Sequence, residues 1–171
     1  MRVVIVGGRT RTDYLMSALA EAADEVVVIN NDRLFCEYLS SRHDSTVIWG
    51  DGMKRSVLEE ADVEGFDAIV ALTRYDADNL AICQVAKKFL GIPLQLCIVS
   101  NPENTKIFRQ LGVTAAISAT AALADAIRDT MGTLSSEMPK SIPFSAPEID
   151  SDEGEFASPY LFGSWHRLKN E

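Results

Sequence analysis

Positive charge is scarce in this chain. Sixteen Lys and Arg face 25 Asp and Glu over 171 residues, a formal net charge of −9. Nucleic acid and anionic membrane both demand concentrated basic surface, so neither is expected as the main partner. Histidine and cysteine are few, with two of the first and three of the second. Cys36, Cys83 and Cys97 show no C-x-x-C spacing and lie in apolar surroundings, which reads as core packing. His43 and His166 have no neighbours at ligand spacing, so no metal site is expected. No apolar run approaches the roughly 20 residues of a membrane span. The N-terminus lacks the charged-then-apolar layout of a signal peptide, and a cytoplasmic location is expected.

What the chain does have is a 47% share of hydrophobic residues, enough for a sizeable core. They are grouped in short runs: VVIVGG from Val3, VVVIN from Val26, TVIWGDG from Thr46, DAIVALT from Asp67, LQLCIVS from Leu94 and TAAIS from Thr114. Continuous β-branched runs of this kind mark strands buried on both faces, as in parallel sheets. Helical periodicity fills the gaps. In DNLAICQVAKKFLG, Leu80, Cys83, Ala86 (or Lys87) and Leu90 recur at three or four residues before Gly91 and Pro93 stop the pattern. PENTKIFRQLG reads as a helix from Pro102 to Gly112. Unbroken alternation of strand and helix predicts an α/β fold, Rossmann-like and doubly wound, with a mainly parallel six-stranded sheet. A helix from about Ser118 carries a stripe through Ala122 and Ala126, or Leu123 and Ile127, to Met131. Beyond it the composition turns to serine, proline and acid. The expected division is a domain over 1–131 and an irregular tail over 132–171.

The turn after the first strand holds the first candidate site. A dinucleotide loop G-x-G-x-x-G uses its glycines for the turn, for backbone approach to pyrophosphate and for helix packing. In register, Gly7 is retained, while Arg9 and Thr12 replace the second and third glycines; Gly8 can share the turn. Arg9, Thr10 and Arg11, at the start of the first helix, make an anion or nucleotide phosphate site. The competing account is a vestigial loop whose arginines are solvated or paired with Asp13. At the end of the second strand, where an acid normally meets the ribose hydroxyls, stands Asn30, followed by Asn31 and Asp32. Asp32 suits the first turn or cap of the next helix. Arg33 nearby leaves a 2′-phosphate, as in NADP, as a further option.

Two later segments carry a resemblance. Gly50-Asp51-Gly52-Met53 and the following LEEADVEGFDA, then Thr73, Asp76, Asn79 and Leu80, then Asn101, Pro102, Glu103, Phe108, Leu111 and Gly112, occur in order and nearly without gaps. Together they resemble the TrkA-N domain, also called KTN or RCK, of cytoplasmic regulators of Trk/Ktr potassium transport, over residues 1–131. The resemblance implies a regulatory subunit with no catalytic residues, gating a membrane potassium transporter or channel as a homo-dimer or a hetero-oligomeric ring. It implies an adenine nucleotide (NAD(H), ATP, ADP or AMP) as ligand. Asp51, Gly52, Thr73 and Arg74 join the loop residues as its candidate contacts. Ordinary NAD(H) sensing is disfavoured, because the glycine motif and the ribose acid are altered, Met53 replaces the turn threonine, and Ile98 stands where the family often has arginine. Asn79 suits a structural tie between two strand ends. A ligand-free assembly scaffold is the alternative; a small NAD(P)-dependent oxidoreductase would have to use His43, Tyr14 or Tyr75.

Overall fold

In the computed structural model six strands alternate with six helices. The structure describes residues 1–137, with side chains to 133; the tail expected beyond lies outside the described residues. The strands are β1 (Arg2–Val6), β2 (Glu25–Asn30), β3 (Thr46–Trp49), β4 (Ala68–Ala71), β5 (Leu94–Val99) and β6 (Ala115–Ser118). Between and after them lie α1 (Thr10–Leu19), α2 (Arg33–Arg42), α3 (Arg55–Glu60), α4 (Asp76–Phe89), α5 (Asn104–Gln110) and α6 (Ala119–Glu137). Every expected strand is present, and all pairings are parallel in the order β3-β2-β1-β4-β5-β6. Each strand rises beside its neighbour through a helical crossover, as parallel pairing requires.

Alternation along the strands divides the core into two layers. Val4, Val6, Val27, Ile29 and Ile69 face Leu58 of α3, Ile82, Cys83 and Ala86 of α4, and Phe108 of α5. Val3, Ile5, Val26 and Val28 face Met16 of α1 and Leu39 of α2 on the other side. Ile5, Ile29, Leu39, Leu58, Ile69 and Ile82 are fully buried. Each such side chain contributes about 1.5–3 kcal/mol by leaving water.

The three cysteines are buried and unpaired, as their apolar settings predicted. The Cys83 thiol, hydrogen-bonded to Cys97 and desolvated, is pushed above the ordinary thiol range.

Two helix ends differ from the sequence reading. α5 starts at Asn104, not Pro102. Asn101 folds a turn ahead of it, its side chain accepting from Glu103 N (3.0 Å) and its carbonyl from Asn104 N (3.0 Å). Pro102 therefore sits inside that turn. α6 continues through Gly132 to Glu137, because a glycine without a following stop signal costs a helix only about 1 kcal/mol. On α6, Leu123, Ile127 and Met131 are exposed at four-residue spacing.

Candidate functional site

The chain runs outward in opposite directions from β1, so the crevice between β1 and β4 is a topological switch point, where α/β sheets take ligands at the strands' carboxyl ends. A cavity of about 450 Å³ lies there. Gly7, Gly8, Arg9, Arg11, Asn30, Asn31, Asp51, Gly52, Thr73 and Arg74 all line it. Of the candidate residues only Thr10 and Thr12 do not.

Thr12 has gone inward. Fully buried, it donates its hydroxyl to the Gly7 carbonyl at 2.6 Å. A Cβ on Gly8 would stand 2.3 Å from that hydroxyl and 3.1 Å from Leu72 Cβ, and Gly8 has φ +75°. The helix-to-strand contact that a third glycine normally permits is thus made by Thr12 against a glycine at position 8. Gly7, at φ +75°, passes within 2.9 Å of Thr73 Cγ2 when given a Cβ. Backbone N–H groups of Gly8, Arg9, Thr10 and Arg11 have no acceptor among the described residues. They are the unpaired donors of a loop entering a helix, and they suit an anion.

Asn30 is engaged elsewhere. It is 3% exposed, donates Nδ2 to Gly8 O at 2.9 Å and accepts from Asp32 N at 3.0 Å. Asp32 caps α2 through Phe35 N (3.1 Å), as its position suggested. Its other oxygen meets the Arg9 guanidinium, which also lies over the Phe35 ring at 5.9 Å. This corrects the Asp13 pairing considered for the loop. Asp13 instead bonds His43 Nε2 (2.7 Å) and Tyr38 Oη (3.0 Å), with Arg42 at 4.0 Å. The His43 hydrogen bond, aided by Tyr38 and Arg42 against the effect of desolvation, holds the Asp13 carboxyl below its usual value. Arg33 pairs with Glu37 and stacks on Trp49 at 5.7 Å.

The opposite wall is a hydrogen-bonded block. Asn79, 1% exposed, accepts from Thr73 N (2.8 Å) and Thr73 Oγ1 (2.7 Å), and donates to Thr73 O (3.3 Å) and Ile98 O (3.0 Å). It joins the end of β4 to β5, the tie that its position predicted. Asp76 accepts from Ser100 N (2.7 Å), Asn104 Nδ2 (2.7 Å) and Asn101 N (3.4 Å). Burial raises its carboxyl pKa, but these donors outweigh burial and leave it below the ordinary value. On the third side Gly52 presses on β1: a Cβ there would stand 2.2 Å from Val6 Cγ1. Asp51 Oδ1 accepts from Met53 N at 3.1 Å and shapes the turn.

Asp32, Met53, Tyr75 and Asp78 also line the cavity, beyond the residues named from sequence as ligand contacts. For Asp32 and Asp78 the available signal was their place in or just before a helix's first turn, at the strands' carboxyl ends. Arg9, Arg11 and Arg74 therefore face Asp32, Asp51 and Asp78 around one space. Of the three acid–base candidates only Tyr75 reaches it; His43 is held by Asp13 and Tyr14 is exposed. Among the described residues no cluster could hold a metal ion, and no helix is long and apolar enough to cross a membrane.

The family model of the TrkA-N domain matches residues 3–119. This chain belongs to the TrkA-N domain family. A Trk system potassium uptake protein TrkA homolog from Methanothermobacter thermautotrophicus is 33% identical over 118 residues, covering 69% of this chain and 54% of that protein. The chain thus spans about half the length of that relative. Among solved structures, the NAD(P)-binding domain of an exopolyphosphatase-related protein from Archaeoglobus fulgidus superposes with a TM-score of 0.66 at 19% identity, over 77% of this chain and 98% of that one. The GsuK channel bound to NAD gives 0.60 at 21% identity, over 68% of this chain and 21% of that one. The Shewanella denitrificans Kef CTD in its AMP-bound form gives 0.61 at 20% identity, over 78% and 80%. These likenesses show the fold of a TrkA-N domain.

Proposed function

We propose that this TrkA-N chain is a cytoplasmic regulatory subunit of a potassium uptake system, peripheral to the membrane through a transporter or channel partner. An adenine nucleotide (NAD(H), ATP, ADP or AMP) held in the switch-point cavity biases its shape. The observation that carries this reading is the set of loop N–H donors at Gly8 to Arg11, without acceptors among the described residues, beside Arg9 and Arg11 at a cavity of about 450 Å³. The likeness to a TrkA homolog and to the folds of the NAD-bound GsuK channel and the AMP-bound Kef CTD supports the ligand class. Regulation of this kind needs only different affinity for two conformations, and the cavity's side chains offer no acid–base pair of recognisable geometry. Assembly is as a homo-dimer or in a hetero-oligomeric ring.

A second reading, a scaffold that keeps the fold for assembly without ligand, is favoured by one observation: Asn30 is buried in internal bonds and Arg9 already has a carboxylate partner. Calorimetric titration with NAD⁺, NADH, ATP, ADP and AMP separates the two. The expected result is micromolar binding of one of them, weakened at least tenfold by Arg9→Ala, in line with loss of about 1.5–3 kcal/mol for a hydrogen bond to a charged group. No heat at millimolar ligand would select the scaffold.

A further inference from the structure

We infer that Arg9 and Asp32 are a pair that exchanges partners when a nucleotide enters, so that Asp32, rather than Asn30, is the acceptor for the ribose diol. The inference rests on the nucleotide reading of the cavity. Asn30, at the strand end where a ribose acid would stand, is 3% exposed with its Nδ2 on Gly8 O and its Oδ1 on Asp32 N. Both polar atoms have partners within the protein, and the amide has no charge to offer. Two residues on, Asp32 lines the cavity with its carboxylate fixed in place: Oδ1 caps α2 through Phe35 N at 3.1 Å, leaving Oδ2 as the oxygen that meets Arg9.

Arg9 is the more exposed partner. Its side chain is 74% exposed, against 26% for Asp32. An ion pair so exposed is worth little in water, so a competing anion displaces it readily. A nucleotide phosphate carries more charge than a carboxylate and matches the guanidinium fork in two bonds. It also finds the N–H groups of Gly8 to Arg11 beside Arg9. Once Arg9 turns to phosphate, Oδ2 of Asp32 is an unpaired carboxylate oxygen on the cavity wall, and the vicinal hydroxyls of ribose can donate to it. The arrangement selects molecules that bring both groups. Pyrophosphate takes Arg9 but strands Asp32; a nucleoside leaves the pair closed.

Titration of the full-length chain with ADP, 2′,3′-dideoxy-ADP and inorganic pyrophosphate tests this, using native protein, Asp32→Asn and Arg9→Ala. Asparagine caps a helix as well as aspartate does, so Asp32→Asn removes the charge and keeps α2; circular dichroism checks the fold. Native protein should prefer ADP to the dideoxy analogue by about tenfold, the size of a hydrogen bond to a charged acceptor. In Asp32→Asn that preference should fall to about twofold while pyrophosphate binds at least about threefold tighter, its arginine no longer contested. Arg9→Ala should weaken ADP and its analogue by the same factor. If Asp32→Asn keeps the diol preference, whatever it does to pyrophosphate, the exchange is wrong and the nucleotide reading stands. If pyrophosphate affinity does not rise, the exchange is equally wrong. If native protein binds none of the three at millimolar concentration, both readings fall together.

Discussion

The two long walls of the cavity are built on different plans. The wall formed by β4, α4 and β5 is held from within: Asn79 makes four hydrogen bonds and Asp76 three, all to backbone or side chains of adjoining segments. The wall formed by the β1–α1 loop and the start of α2 is held by the buried Asn30 amide, which bonds Gly8 O and Asp32 N, by the Thr12 hydroxyl and by one exposed ion pair, Arg9 with Asp32. The first wall carries the matches at Thr73, Asp76 and Asn79 with one departure, Ile98, and the second carries the departures Arg9, Thr12 and Asn30. A motif residue whose partners are backbone groups cannot change without leaving buried polar atoms unpaired, whatever the ligand. A residue that faces solvent and a cavity has only the ligand to answer to.

That contrast can be broken from either side. The largest effect is expected for Asn79→Ala, which leaves Thr73 N–H and the Thr73 and Ile98 carbonyls without their partner; about 3 kcal/mol of stability should be lost in a urea titration. A loss below about 1 kcal/mol would mean that the block tolerates water and is no brace. Gly8→Ala should cost about 2 kcal/mol, because a Cβ 2.3 Å from Thr12 Oγ1 and a positive φ oppose it together. Adding Thr12→Ala should recover part of that cost; strict additivity of the two would show that they do not share the contact. Arg9→Ala should change stability by no more than about 0.5 kcal/mol, as expected of an exposed pair. A thermal melt showing a larger change would make Arg9 a structural residue and blur the distinction between the walls.

Much of this architecture was legible beforehand, for physical reasons. Val3–Val6, Val26–Ile29 and Ile69–Val70 are β-branched throughout, and only a sheet covered on both faces buries such runs. Asp32 as a cap and Asn79 as a tie could be anticipated because each acts on backbone close in sequence or on the adjoining strand. The Arg9–Asp32 pair could not. Its members are 23 residues apart, and Asp13, nearer in sequence, was claimed by His43, which the fold delivers from the far end of α2. Nor did glycine register reveal that Thr12 and Gly8 had traded roles, since that depends on which way a hydroxyl turns after the helix begins. The end of the last helix was read too early, at Met131, because α6 lacks a stop signal at Gly132.

One mechanical consequence follows from the Asn79 tie. Thr73 forms part of the cavity lining, yet its N–H, carbonyl and hydroxyl are all bound to the same amide that grips β5. Pressure on Thr73 is therefore shared at once by α4 and by the strand beyond it, so this side is stiff. Across the gap the corresponding side-chain contact is the Arg9–Asp32 pair, whose guanidinium is open to solvent.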